Sequence, residues 1–425
     1  MGLLIQFNFK NFKSFRDEVS LDMSATKISE HTDHVALISN DKFLKVAAIY
    51  GANGSGKSNL YEAFKYMRYY VINSFNFGGE DENDKEILYK KPASFLFDKD
   101  SINEENTFEV FYVDNSDEKE QVYQYGFSIL KDMVVEEWLY SKAKTQKEYK
   151  TIFYRDKENN LDLSGIANNK HENIMTSLEK ETLVVSLGSK LKVDKLKKVR
   201  DWFLKNVTIG FGEPTEDYIR SHTLPENFLG DKNVQKDVIK YINSFDESLQ
   251  DFEVIEAMSD KDDAKNKSYV INVLHKIINS NDKMPISLKE ESGGTLKMFA
   301  LYPYLKKVLD NGGTLFIDEL DSRLHPLLMR NIILTFLNPE TNANNAQLIF
   351  TTHDVWHFSN DLLRRDEIWL IEKNNDGISS LYSLAEFKDD EGNKVRKDES
   401  YAKNYLTGFY GAIPSLKPLN ILKGD

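Results

Sequence analysis

The sequence contains no cysteine, which removes disulfide frameworks and cysteine-ligated zinc from consideration. That fits a reducing cytosol, and a cytoplasmic location is the expectation. No run of about 18 or more apolar residues occurs, so no segment is expected to span a membrane. The start, Met1-Gly-Leu-Leu-Ile-Gln6, lacks the basic region of a signal peptide and the Ser/Thr of a myristoylation site. Positive charge is in deficit: 55 Lys and Arg against 68 Asp and Glu leave a net −13 at pH 7. Such a surface does not coat nucleic acid over most of its area, although a local basic groove stays compatible. The densest basic cluster is Lys190, Lys192, Lys195, Lys197, Lys198 and Arg200. It reads as the solvated face of an amphipathic helix, because Leu191, Leu196, Val199 and Phe203 recur near helical spacing. No internal repeat, low-complexity tract or long heptad run stands out, so neither a solenoid nor an extended coiled-coil arm is expected.

Against these absences stands one dense stretch, Gly51-Ala-Asn53-Gly54-Ser55-Gly56-Lys57-Ser58-Asn59, directly after the apolar run Val46-Ala-Ala-Ile-Tyr50. It completes the G-x-x-x-x-G-K-[ST] pattern between a strand and a helix of roughly residues 57–70, the context that gives the pattern its meaning. Gly51, Gly54 and Gly56 let the backbone turn tightly and aim several N–H groups at one anion. The helix start adds its positive end at the same place. Lys57 is expected to reach the β- and γ-phosphates of a nucleoside triphosphate, and Ser58 to ligate Mg²⁺. A glycine-rich surface turn would satisfy fewer of these constraints.

The 425 residues leave room for two or three domains at roughly 150 residues each. Residues 1–164 read as the N-terminal part of an ATPase head. They hold a hairpin over 3–23, the P-loop, and an antiparallel β-layer from about Phe95 to Tyr154 rich in β-branched and aromatic residues. In the hairpin connection, Lys13 and Arg16 are either snorkelling bases or neighbours of the nucleotide. Gly78–Asp84 reads as a surface loop and Asp114-Asn-Ser-Asp117 as a turn. Residues 165–283 read as a mostly helical insertion, with helices over 190–206 and 232–245. Residues 284–425 return to strand–helix alternation, the rhythm of a parallel α/β sheet. The fold class expected is α/β, a P-loop NTPase with a mixed sheet.

Thr314-Leu-Phe-Ile-Asp318-Glu319 is an apolar strand ending in two carboxylates. Asp318 is placed to partner the Mg²⁺ on Ser58, and Glu319, one residue on, to accept a proton from an attacking water. His353 follows the apolar strand Ala346–Phe350 and its two threonines, and is read as a γ-phosphate sensor. His325, before Pro326, is read as a helix-start residue without chemistry. Ser292-Gly293-Gly294 at another helix start is a second anion-binding device, with no second phosphate in one chain to occupy it.

This set resembles an ABC-type ATPase head. Glu291-Ser-Gly-Gly-Thr295 looks like a diverged signature, Asp321 like the D-loop acid and His353 like the switch histidine. Asn11-Phe-Lys-Ser-Phe15 and Asn53–Asn59 look like the SMC-like branch. Leu324-His-Pro326, Phe350-Thr-Thr-His-Asp354 and the Arg396–Pro414 tail resemble bacterial AAA-annotated ATPases of phage defence. Those are the abortive-infection ATPases, the ATPase subunit of PARIS-type systems and the heads of overcoming-lysogenisation-defect nucleases. The resemblance implies ATP and Mg²⁺ as cofactors and slow ATP hydrolysis. It implies a homodimer or higher homo-oligomer with two ATP molecules between heads, so that Ser292, Gly293 and Gly294 serve the other copy. It also implies a separate effector protein such as a nuclease, with DNA or a phage protein as trigger. An SMC-like DNA-repair or DNA-tethering ATPase and a non-hydrolysing scaffold are the alternatives. The chain departs from the pattern at Glu291, where an apolar residue is usual. No Q-loop glutamine is evident, since Gln121 and Gln124 sit in a strand pattern. No acidic cluster of a fused nuclease follows His353.

Overall fold

The computed structural model describes residues 2–77, 89–114, 120–144, 146–212, 223–257 and 268–414. The loop expected over Gly78–Asp84 and the tip of the turn expected after Asp114 lie outside them. Strand β1 (Gly2–Lys10) pairs antiparallel with β2 (Val19–Asp22), setting Phe7 opposite Leu21. A short hairpin, β3 (Val35–Ile38) and β4 (Asp41–Leu44), leads to β5 (Val46–Gly51) and helix α1 (Lys57–Asn73). Strands β6 (Asn106–Asp114), β7 (Gln121–Leu130), β8 (Met133–Ala143), β9 (Lys150–Arg155) and β10 (Leu161–Asp162) follow. They join β1 and β2 in an antiparallel sheet of order β10-β9-β8-β7-β6-β1-β2.

Three helices come next, α2 (His171–Ser177), α3 (Val184–Lys190) and α4 (Asp194–Lys205), then β11 (Val207–Gly210) and α5 (Lys232–Ile242). Strands β12 (Leu249–Ala257), β13 (Ser268–Lys276) and β14 (Lys283–Ser287) form a separate antiparallel sheet. The chain continues through α6 (Gly293–Asn311), β15 (Thr314–Asp318), α7 (Pro326–Leu337) and β16 (Gln347–Thr351). It closes with β17 (Ile368–Lys373), β18 (Ser379–Ser383) and α8 (Tyr401–Leu406).

The central sheet has the order β11-β15-β16-β5-β17-β18, parallel except for the edge strand β18. Every residue of β5, β15 and β16 is buried, as expected of parallel strands covered on both faces. One face carries α1, whose Phe64 and Met67 share a core with Phe7, Phe108 and Phe127 of the antiparallel sheet. The other face packs Met298 and Leu301 of α6 with Ile332, Ile333 and Phe336 of α7. Gln347 ties the two sheets together. Its amide donates to Leu4 O (3.0 Å) and Leu44 O (2.9 Å), while Leu4 N donates to its Oε1 (2.7 Å).

The helices expected over 190–206 and 232–245 are α4 and α5, but the stretch 165–283 also holds strands. Strand β11 belongs to the central sheet, paired parallel with β15, and β12–β14 are strands. Four residues, Val207–Gly210, are too short to announce a strand beside the helical pattern before them. In β12 and β13 the apolar residues alternate (Phe252 and Val254, Ile271 and Val273), and a helical reading of their neighbours obscured that period of two. The basic cluster lies on the segment 190–200, with Leu196, Val199, Trp202 and Phe203 of α4 buried beneath it. Arg200 caps Ile72 O (3.0 and 2.9 Å).

Candidate nucleotide site

The chain leaves the middle of the parallel sheet at Gly51 and enters α1 at Lys57. Within this turn Ser55 N donates to Ala52 O (3.1 Å). Gly54 has φ 75° and opens to free space, whereas Gly56 has φ 119° and is hemmed in. A Cβ on Gly56 would stand 2.6 Å from Ser379 Oγ and 2.8 Å from Ser14 Oγ. Those hydroxyls buttress the loop. Ser379 Oγ lies 2.8 Å from Ser14 Oγ and 2.5 Å from Ser55 O, Asn59 Nδ2 donates to Ser14 Oγ (2.7 Å), and Ser379 N donates to Ser14 O (2.8 Å). No side chain caps the first amides of α1, and no acidic residue sits in its first turn. The turn is therefore left open to an anion.

The Lys57 side chain folds back across this turn, donating to Gly51 O (2.8 Å) and Ala52 O (3.1 Å). Burial lowers its ammonium pKa to about 8, against the opposing pull of Asp318, Asp321 and Glu319. Asn53, Gly54 and Ser58 are exposed around it. The Ser58 hydroxyl hydrogen-bonds Asp318 at the end of β15, two strands over from β5. Burial pushes the Asp318 carboxyl upward, while its bonds from Thr351 and Ser58 pull the other way. Thr351, at the end of β16, donates to Asp318 Oδ1 (2.6 Å) and accepts from Glu319 N (2.8 Å). One hydroxyl sets both carboxylate residues. A hydroxyl and a carboxylate in contact are the hard oxygen donors that Mg²⁺ takes from protein when phosphates and water complete its shell. Among the described residues no group of three or more His, Asp or Glu forms an all-protein metal cage, in keeping with that division.

Glu319 itself is left-handed at φ 55°, and its carboxylate lies beside Gly212, where a Cβ would approach to 3.1 Å. Asp321 Oδ2 accepts from His353 N (3.2 Å), which ties the turn after β15 to the one after β16. Burial, then the nearby Lys57 charge, holds the His353 imidazole below its ordinary pKa, against the opposing pull of Asp321 and Asp318. His325 caps α7 by accepting from Leu327 N (3.2 Å), as its position before Pro326 suggested.

Ser292, Gly293 and Gly294 open α6 against the turn that follows β15. Ser292 Oγ accepts from Thr295 N (3.1 Å) as the cap of α6, and the space beside both glycines is bounded by Arg323. Glu291, the departure from the usual signature, pairs with His275 of β13 (2.6 Å). Gln124 bonds Glu109 (2.7 Å) within the antiparallel sheet.

Sequence reasoning missed Ser14, Ser379, Thr351 and Lys297. Ser14 had a signal, since it lies between Lys13 and Arg16, the two residues considered for contact with the nucleotide. It is the serine that touches the P-loop, while Arg16 pairs with Asp17 (3.1 Å).

A glycine nest opening a helix after a central parallel strand, with a carboxylate at the end of the strand two places over, defines a P-loop nucleotide-binding ATPase. Residues 46–355 match the family model described as "AAA domain, putative AbiEii toxin, Type IV TA system", and the chain belongs to that family. No curated protein matches the chain. A solved structure, described as the SmcHead bound to the C-winged helix domain of ScpA, aligns with 89% of this chain and 97% of its own at 13% identity. Its TM-score of 0.42 is too low to support any argument. No helix among the described residues is long and apolar enough to cross a membrane.

Proposed function

We propose that the chain is an ABC-type switch that binds ATP with Mg²⁺, hydrolyses it slowly, and works as two copies enclosing two nucleotides. Lys57 would exchange the Gly51 and Ala52 carbonyls for β- and γ-phosphate oxygens, alongside the amides from Asn53 to Asn59. Ser58 and Asp318 would hold Mg²⁺, which when bound supplies neutralising charge to the phosphates. Glu319 would take the proton of the attacking water, and His353 would sense the γ-phosphate. Ser292, Gly293 and Gly294 of one copy would complete the site of the other, with Asp321 between the two. The biological role we favour is the ATPase and sensor component of an anti-phage defence system. It would act with a separate effector such as a nuclease and be triggered by DNA or a phage protein.

The observation that supports this most is the Thr351 hydroxyl bonded to both Asp318 and Glu319, with Ser58 of the P-loop beside Asp318. Glu319→Gln tests it. The variant should bind ATP and Mg²⁺ like the parent and lose roughly 10²–10⁴-fold in kcat, the usual share of a general base. Turnover at the parental rate would remove Glu319 from the role. Strong stimulation of the parent by duplex DNA, with no effector required, would favour the DNA-tethering alternative.

A further inference from the structure

Helix α6 buries a cation, Lys297, one turn after its Ser292 cap. A buried ammonium is costly unless it is hydrogen-bonded. Here Nζ donates to three carbonyls, Glu319 O (3.1 Å), Leu320 O (2.8 Å) and Ser322 O (2.6 Å), and stands 3.9 Å from the centre of the Phe211 ring. These carbonyls belong to the tight turn after β15. In it Glu319 (φ 55°) and Arg323 (φ 59°) are both left-handed without being glycine. Such backbone persists where its surroundings over-determine it. Two supports are visible for Glu319. From β16, the Thr351 hydroxyl takes its N–H, and Thr351 O takes the N–H of Leu320 (3.1 Å). From α6, Lys297 gathers the carbonyls. Phe211, whose ring lies under the ammonium, directly precedes Gly212, the backbone beside which the Glu319 carboxylate lies.

We infer that Lys297 is a positioning residue for Glu319, coupling the seating of the signature helix to the placement of the general base. This rests on the function proposed above. A γ-phosphate presented to Ser292–Gly294 by a second copy acts on the first turn of α6. Lys297, five residues on, carries any shift of that turn to the carbonyls of Glu319, Leu320 and Ser322 through direct contacts. The three carbonyls that Lys297 holds are not P-loop groups, so nucleotide affinity and base placement can be measured apart.

The test measures ATP affinity and steady-state turnover for Lys297→Met, Lys297→Arg, Glu319→Gln and the double variant Lys297→Met/Glu319→Gln. Lys297→Met, which keeps the apolar stem and loses the donors, should bind ATP within about 3-fold of the parent and lose about 10- to 100-fold in kcat, as expected when a base is no longer held in register. Lys297→Arg, which keeps charge and donors, should recover part of that loss. In the Glu319→Gln background Lys297→Met should change turnover by less than about 2-fold, because the group it positions is gone. Parental kcat in Lys297→Met, or a full multiplicative loss in the double variant, overturns the positioning role alone. Loss of ATP binding in both Lys297→Met and Lys297→Arg overturns it too, since the cradle would then serve the fold. Parental turnover in Glu319→Gln instead overturns the base assignment on which the inference stands.

Discussion

Helices α1 and α6 both begin on glycine-bearing turns, yet they treat their first amides differently. The start of α1 has Gly56 at its cap, no side chain on its amides and a lysine bent over the opening. The start of α6 is closed by its own serine, with Ser292 Oγ accepting from Thr295 N. A helix N-terminus attracts anions in either case. Only the first is arranged as a complete receptor, with a cation in reach and a hydroxyl on a carboxylate beside it. The second has spent one amide internally and has Arg323 rather than a folded-back lysine beside its glycines, and we propose it as a supporting contact to a phosphate held elsewhere. The contrast is a physical reason to propose tight binding at one turn and a supporting role for the other.

The largest expected effect tests that division directly. Lys57→Ala removes the charge nearest the P-loop amides and should weaken ATP binding by about 100-fold or more, the value of a charge-assisted contact at roughly 3 kcal/mol. A titration showing unchanged affinity would refute the receptor assignment. Ser292→Arg should leave single-copy affinity nearly intact while ending turnover. Mixing these two inactive variants should restore part of the activity, because one composite site then has an intact P-loop and an intact α6 cap. Mixed dimers without recovered activity would break the comparison.

Gly56→Ala comes next. Its left-handed φ and the Ser14 and Ser379 hydroxyls within 2.8 Å of the new Cβ leave the methyl no place. Unfolding by denaturant should show a loss of about 1–3 kcal/mol. Gly293→Ala, where the nearest atom would be Arg323 Cδ at 3.6 Å, should be milder.

A pH effect follows from Lys57, whose ammonium pKa burial has lowered to about 8. Phosphate favours the protonated form, so the pKa rises on binding and ATP binding takes up protons above pH 8. Affinity should therefore fall as pH rises from 8 to 9, by at most about tenfold. Calorimetry in buffers of different ionisation enthalpy would report the uptake, and Lys57→Met should abolish it. Uptake that persists in that variant belongs to another group.

Ser292→Ala should give the smallest change. It loses the α6 cap, worth about 1 kcal/mol, and a thermal melt would record it. A larger fall would mean that the serine supports more than its own helix.

The P-loop was legible because its chemistry is contiguous. Gly54, Gly56, Lys57 and Ser58 act through neighbouring backbone on one turn, so residue types at fixed spacing carry the whole message. Asp318 and Glu319 were legible because two carboxylates end an apolar strand, and His325 because it precedes a proline at a helix start. The strands within 165–283 were not legible, for the opposite reason. The four residues of β11 count as a strand only because β15 lies beside them.

The sequence by itself determined that this chain carries a nucleotide loop on a parallel sheet, with acidic residues on a nearby strand, since periodicity and local turn chemistry suffice for that. The tertiary structure decided what holds the loop and the turn after β15 in place. Ser14 and Ser379 meet under Gly56 from opposite ends of the chain, Thr351 bridges Asp318 and Glu319 from the next strand, and Lys297 reaches the turn after β15 from α6. A lone serine, threonine or lysine has no period and no partner in its own segment. Its role exists only once distant segments are packed close enough for one hydroxyl or ammonium to bond them.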